Sequence, residues 1–184
     1  PPMSGGNAWR GDPLLIQIAE DFSAPVRKDL DNLGRFVLTQ EALETARLAN
    51  VETPVLRTHD RQGRRLDTGD FHPAYHALMR RSMASGLHSS IWENGPAETG
   101  RRHQARAARF YLTSQLETGH LCPITMTSAS LAALMSGPQL FREWAPRVTT
   151  RKYDQSNKPP VEKTGLTLGM GMTEKQGGTD VRAN

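Results

Sequence analysis

The residues best suited to chemistry form a glycine-rich run at 169–180, which reads GMGMTEKQGGTD. Glycine lets a ligand approach the backbone closely and adopts positive φ without strain. Successive backbone N–H groups in such a turn form a concavity that suits anionic oxygens or polarised carbonyls. Thr173 and Thr179 add hydroxyl donors. The run predicts either a ligand-binding loop or a surface turn, and glycine clusters alone are typical of turns.

Two common phosphate-binding motifs do not fit this run. It contains neither a G-x-G-x-x-G that opens a helix nor a Gly-Lys-Ser/Thr phosphate loop. The residues just before it, Leu166-Thr167-Leu168, alternate apolar and polar side chains. This alternation predicts a short β-strand that leads into the loop.

The strings at 172–174 and 177–180 together resemble the M/V-T-E-P-x-x-G-S-D signature of the acyl-CoA dehydrogenase family, flavoproteins that use FAD. Lys175 stands where most of that family has proline, and Thr179 replaces serine. The T-E-K-Q-G-G form is similar to the AidB branch, which is linked to DNA alkylation damage. Further segments that resemble this branch lie at 47–51, 62–67, 71–73, 106–110 and 121–127.

The resemblance implies an all-α fold, the N-terminal helical domain of the acyl-CoA dehydrogenase fold, ending at the first strand of a β domain. We expect a flexible segment at 1–12, the helical domain at 13–153, a linker at 154–164 and the start of the β domain at 165–184. The implied parent binds FAD, acts on an acyl-CoA-like substrate and forms a homo-oligomer. The branch also implies DNA contact through a C-terminal domain that this chain lacks.

The resemblance places the flavin beside the glycine-rich run. The Thr-Glu backbone would meet the pyrimidine edge of the flavin, with Gly177 to Thr179 nearer the phosphates. The family supplies its catalytic base from the C-terminal domain, so this chain contains no implied catalytic residue. Alone, it should be inactive and colourless, and its tail after Tyr153 should be poorly held unless another chain packs on it. The implied FAD-contacting residues are Met170, Gly171, Met172, Thr173, Glu174, Gln176, Gly177, Gly178 and Thr179.

The elements before the loop read mostly as amphipathic helices. Apolar residues recur at helical spacing after three capping or starting signals, Asp12-Pro13, Thr39 and Pro73. Residues 50–72 lack a helical period and contain turn residues, which suits a long connection with a short hairpin. Four further helices are predicted. One begins at Pro25, and the others cover 102–118, 128–135 and 138–144. Gly119 is the predicted terminating residue of the helix at 102–118.

Other candidate sites have weaker patterns. His72 and His76 have the i, i+4 spacing of metal ligands, but no third ligand follows at a useful spacing, so we predict no metal. Cys122 lies near His120, yet its neighbours are apolar, which favours a buried thiol over a nucleophile. A single cysteine excludes an internal disulfide and, with no signal peptide at the start of the chain, favours a cytoplasmic location.

The charge pattern leaves one alternative function open. The net charge is +4, and Arg102, Arg106 and Arg109 follow one helix face. Such a stripe is usually solvated, but it also allows a helical assembly or DNA-contact module with no flavin chemistry. Residues 118–141 carry no Asp, Glu, Lys or Arg, but proline, glycine and hydroxyl residues interrupt them, so we predict no membrane span.

Overall fold

The computed structural model describes residues 5–93, 100–171, 175, 178–180 and 182. In this part of the chain helices predominate, and one β-hairpin lies between the third and fourth helices. The elements are α1 (Pro13–Ile18), α2 (Ala24–Phe36), α3 (Gln40–Val51), β1 (Val55–His59), β2 (Arg65–Asp70), α4 (Pro73–Ala84), α5 (Arg102–Ser114), α6 (Leu121–Leu134), α7 (Pro138–Val148) and a 3₁₀ turn at Pro160–Glu162.

Local capping chemistry sets several helix starts. The Asp12 carboxylate accepts the Leu15 N–H at 2.9 Å, and the Thr39 hydroxyl oxygen accepts the Ala42 N–H at 3.1 Å. Each bond satisfies a donor that has no partner within its helix. Proline occupies the first turn of α1, α2, α4 and α7, where its missing N–H costs nothing. The starts predicted at Asp12-Pro13, Thr39 and Pro73 are confirmed.

The α5–α6 junction differs from the prediction. Helix α5 ends at Ser114 rather than at residue 118, and α6 begins at Leu121 rather than at residue 128. Pro123 falls in the first turn of α6, where the helix tolerates it because the first four N–H groups have no helical acceptor. Gly119 does not terminate α5, because that helix has already ended at Ser114. The Gly119 N–H donates instead to the Glu117 carboxylate in the turn before α6.

Three apolar clusters hold the helices together. The first joins α1, α2 and α5, the second joins α4 to the start of α6, and the third joins the end of α6 to α7. Burial of such side chains contributes about 1.5–3 kcal/mol each. Their central residues are Leu30, Val26 and Leu112 in the first cluster, Met79, Met83 and Ile124 in the second, and Leu131, Val148 and Leu166 in the third.

The N-terminal segment belongs to the first cluster. Trp9 is buried there, and the Ala8 N–H donates to the Gly34 carbonyl on α2 at 2.9 Å. A Cβ on Gly34 would lie 2.5 Å from the Trp9 nitrogen, so glycine is required at this crossing. The segment that we expected to be flexible therefore contributes a core side chain, which its local sequence did not indicate.

The short hairpin predicted within residues 50–72 is present, and the predominance of helices agrees with the all-α prediction in its coarser form. β1 and β2 pair in antiparallel fashion, with Val55 opposite Asp70 and Leu56 opposite Gly69. The Asp60 carboxylate closes the turn by accepting the Gln62 and Arg64 N–H groups. Both strands are almost fully exposed and form the only sheet in the described part of the chain. The fold is a mostly helical domain with a small two-stranded sheet.

Candidate functional site

An extended segment runs from Gly165 into the glycine-rich loop, past the end of α7 and the middle of α6. The Leu166 N–H donates to the Arg147 carbonyl at 3.0 Å, and the Leu168 N–H donates to the Thr127 hydroxyl oxygen at 3.0 Å. Alternate N–H groups therefore bond along one edge, as in a strand, but their acceptors lie on helices. The strand predicted at 166–168 is not found among the described residues, because no second strand pairs with it.

Glycine is required where this segment crosses the chain after α7. A Cβ on Gly165 would lie 3.1 Å from the Thr150 methyl and far inside contact distance of the Lys152 carbonyl oxygen. This close crossing lets Leu166 reach the third cluster, where it is 6% exposed. The chain itself therefore packs the tail as far as Leu168, which corrects our expectation that everything after Tyr153 depends on another chain.

Asp154 organises the predicted linker. One carboxylate oxygen accepts the Ser156 N–H at 3.0 Å and its hydroxyl at 2.7 Å, while the other accepts the Thr164 N–H at 3.0 Å. These hydrogen bonds, led by the Ser156 hydroxyl, hold the pKa of Asp154 well below its usual range. The linker is therefore a closed loop whose two ends meet at a single carboxylate.

The glycine-rich loop leaves the domain after Leu168. Met170 is 57% exposed, and Gly171, Gly178 and Thr179 are exposed too. Apart from the immediate chain neighbours, no heavy atom of the described residues lies within 4 Å of the position that a Cβ would take on Gly169, Gly171 or Gly178. A broad planar group can therefore approach this backbone, which fits a flavin. The other implied residues, Met172, Thr173, Glu174, Gln176 and Gly177, lie outside the described residues.

A buried polar chain fixes the start of α6. The Glu117 carboxylate accepts the His120 N–H at 2.9 Å and lies 2.5 Å from His120 Nδ1, while His120 Nε2 lies 2.8 Å from the Ser82 hydroxyl. Burial lowers the pKa of His120. Burial alone would raise the pKa of Glu117, but hydrogen bonds from His120 and Gly119 outweigh it and lower that pKa.

The side chains of Ser82, His120 and Glu117 are linked in the order of a hydrolase triad, but their burial argues against catalysis. Ser82 is 3% exposed and His120 is 1% exposed, so no substrate reaches the hydroxyl. The side chain of Asn50 adds a further hydrogen bond to Glu117 from α3. The chain of bonds therefore joins α3, α4 and α6 and positions α6 beneath the extended segment.

The outer face of α6 is uncovered and apolar. Cys122 is exposed, contrary to the predicted burial, and its sulfur lies 3.7 Å from the Met126 sulfur. The neighbours that suggested burial, Leu121 and Ile124, lie in the second cluster, on the other side of the helix. No helix within the described ranges is long and apolar enough to cross a membrane.

Aromatic side chains border a cavity of about 450 Å³ between the hairpin and the Tyr153 segment. The rings of Phe71 and Tyr75 stack with centroids 4.5 Å apart, and His76 Nδ1 lies 2.9 Å from the Tyr153 hydroxyl. Burial raises the pKa of Tyr153 to about 12. His72 caps α4 by accepting the Ala74 N–H, and no three metal-ligating side chains cluster within the described ranges.

The arginine stripe on α5 is not the solvated face that we predicted. Arg109 is buried and bonds to Asp29 at 3.1 Å, while Arg106 is partly buried and donates to the Leu87 carbonyl at 2.6 Å. Both arginines meet partners from other elements because α5 packs on more than one side. The stripe therefore holds the domain together.

Comparisons with known proteins agree with the resemblance in the sequence. The model of the adaptive response protein AidB N-terminal domain matches residues 1–155. The chain is 43% identical to the putative acyl-CoA dehydrogenase AidB of Escherichia coli, over 100% of this chain and 34% of that protein. It is 29% identical to acyl-CoA dehydrogenase family member 11 of Caenorhabditis elegans, over 95% of this chain and 28% of that protein.

Solved structures show a similar fold. The apo form of Bd2924 is similar with a TM-score of 0.80 and 26% identity, over 98% of this chain and 35% of that one. Caenorhabditis elegans ACDH-11 in complex with C11-CoA is similar with a TM-score of 0.79 and 25% identity, over 98% of this chain and 30% of that one. This chain spans about a third of the length of these relatives. It belongs to the adaptive response protein AidB N-terminal domain family.

Proposed function

We propose that this chain forms the N-terminal helical part of a longer, FAD-dependent flavoprotein with the acyl-CoA dehydrogenase fold. The observation that carries the proposal is the extended segment, which is bonded to helices along one edge and ends in an uncovered glycine-rich loop. Within the described part of the chain, the N–H groups of Thr167 and Gly169 donate to no other residue. This free edge suits a sheet built by the remaining two-thirds of such a protein.

The loop would contact the cofactor through its backbone and through Thr173. Bound FAD supplies the hydride-accepting chemistry. Reduction adds negative charge at the N1–C2=O edge of a flavin, so fixed N–H and O–H donors at 172–174 would stabilise the reduced form. Met170 and Met172 would lie beside the isoalloxazine, and Gly178 and Thr179 would lie nearer the phosphates. The carboxylate base belongs to the part of the protein that follows, so this chain would bind and orient without transferring protons.

The outer face of α6 supports the same proposal. A helix that is apolar all round is normally buried, yet Cys122, Thr125, Ala129 and Ala132 on α6 are exposed. We propose that the following domains and an acyl-CoA-like substrate cover this face. The relative ACDH-11 was solved with C11-CoA, which fits a substrate of that class.

The remaining parts of the proposal come from the family. They are a role in protecting DNA from alkylation, homo-oligomer formation and a cytoplasmic location. DNA contact would use the part of the protein beyond this chain, because Arg106 and Arg109 are already bonded within the domain. This use of the arginines also counts against α5 as the core of a separate DNA-contact module.

Titration of FAD, followed by flavin fluorescence, tests the proposal. The protein that joins this chain to the domains that follow it in its relatives should bind FAD stoichiometrically. Residues 1–184 alone should not bind, because they would supply one wall of the flavin site. A few hydrogen bonds, at a net ~0.5–1.5 kcal/mol each, do not offset the ~4–15 kcal/mol cost of association. Saturable micromolar binding by the chain alone, or no flavin in the longer protein, would contradict it.

A further inference from the structure

Thr127 is the side chain that holds the last residue before the glycine-rich loop. It is fully buried on the inner face of α6. Its hydroxyl donates to the Pro123 carbonyl at 2.7 Å and accepts the Leu168 N–H at 3.0 Å. The hydroxyl hydrogen prefers the Pro123 carbonyl at 2.7 Å to the Leu168 carbonyl at 3.5 Å, which leaves a lone pair facing the Leu168 N–H.

No other contact takes over this task nearer the loop. Leu166 is held two residues earlier by the Arg147 carbonyl. Residues 169–171 make no hydrogen bond to any other described residue, and added Cβ atoms on Gly169 and Gly171 would meet nothing. The Leu168 side chain packs against the third cluster, and the Thr127–Leu168 bond fixes the backbone position at which the loop begins.

We infer that Thr127 is a positioning residue for the flavin-contacting loop, an inference that rests on the proposed function. The hydroxyl takes the place of a neighbouring strand by accepting one N–H of the extended segment. It thereby fixes the direction in which Met170 and Gly171 leave the domain. Thr127 acts only through Leu168, because it is buried beneath the segment.

Two substitutions at this position separate the hydroxyl from the packing. Thr127→Val keeps the β-branched shape and removes the hydroxyl, whereas Thr127→Ser keeps the hydroxyl. Ser130→Ala is the matched control, because Ser130 donates to the Met126 carbonyl four residues earlier but does not touch the segment. Thr127→Ala is a second hydroxyl-free variant, for use if the valine does not fit.

Amide hydrogen exchange at Leu168 in residues 1–184 is the first readout, with Leu30 in the first cluster reporting global stability. Thr127→Val should speed exchange at Leu168 by roughly three- to tenfold, the loss of one net hydrogen bond, and should speed exchange at Leu30 by no more than that factor. Thr127→Ser and Ser130→Ala should match the unsubstituted chain. Unchanged exchange at Leu168 in both hydroxyl-free variants, or an equal effect of Ser130→Ala, would overturn the inference.

The flavin reduction potential of the longer protein is the second readout. It should shift in Thr127→Val and return in Thr127→Ser. Faster exchange at Leu168 with an unchanged potential would overturn the positioning role and leave the FAD proposal standing. Absence of flavin from every variant, including the unsubstituted protein, would overturn the proposed function and the role of Thr127 with it. The exchange result at Leu168 distinguishes these failures.

Discussion

Replacement of Gly165 by alanine should loosen the extended segment that leads into the glycine-rich loop. The new methyl group would lie 3.1 Å from both the Lys152 carbonyl carbon and the Thr150 methyl. It would overlap the Lys152 carbonyl oxygen at a distance that real Cβ atoms do not show. Because both neighbours are backbone or close to it, the segment must move away, and Leu166 must leave the third cluster.

The expected cost follows from this overlap. Overpacking of a tight site costs about 1–3 kcal/mol. Alanine also reduces the conformational entropy of the unfolded chain, which offsets about 0.4–1 kcal/mol of the overpacking cost. We therefore expect a net destabilisation of about 1–2 kcal/mol. In a domain of this length, each kcal/mol lowers Tm by roughly 2–4 °C.

Urea unfolding of residues 1–184 measures this difference directly. Gly169→Ala is the matched control, since the same substitution four residues later meets no atom within 4 Å. The control should be neutral or slightly stabilising, and Gly165→Ala should unfold at lower urea. Equal midpoints for the two variants would refute the close crossing of Gly165 and Lys152.

Two further predictions concern other parts of the domain. Gly34→Ala should lower the stability of the domain in urea, because the new methyl would lie 2.5 Å from the Trp9 nitrogen. This is the reverse of the usual effect, since alanine in a helix is normally favoured over glycine by about 1 kcal/mol. A gain in stability would contradict the packing of Trp9 against α2. Burial lowers the pKa of His88, so the folded state resists its protonation. The contribution of neutral His88 to the free energy of unfolding should be fully present above the unfolded pKa of about 6.5 and should decrease as the pH falls below that value. His88→Gln, which can still donate to the Thr150 carbonyl, should show a shallower loss of unfolding free energy as the pH falls below about 6.5. Identical slopes would exclude His88 as the cause.

Local signals predicted the helix starts well and the α5–α6 junction poorly. Asp12 and Thr39 cap helices within three residues of themselves, so the sequence carries the whole signal. The pair Cys122-Pro123 reads as a break, but a proline in a first turn is also compatible with a helix. Glu117 decides between a break and a helix start at this point, and its side chain bonds to Asn50, 67 residues away. No window of local sequence contains that contact.

The candidate site divides in the same way. The glycine-rich run was recognisable from its string, and the family assignment that it suggested is confirmed. Its FAD-contacting residues stay a prediction. The support beneath it was not recognisable, because Thr127 and Leu168 are 41 residues apart and each is ordinary in its own surroundings. Exposure of Cys122 was missed for a related reason, since sequence neighbours on a helix point in different directions.

The contact between Thr173 and the flavin is the central claim, and the reduction potential of the flavin tests it most directly. In the longer protein, Thr173→Ala should remove a donor to an oxygen that gains charge on reduction, which costs about 1.5–3 kcal/mol. The two-electron potential should then become more negative by about 30–65 mV. Thr179→Ala is the control, because the proposed function places Thr179 nearer the phosphates; it should weaken FAD binding without this shift. An unchanged flavin affinity and potential in Thr173→Ala would contradict the account.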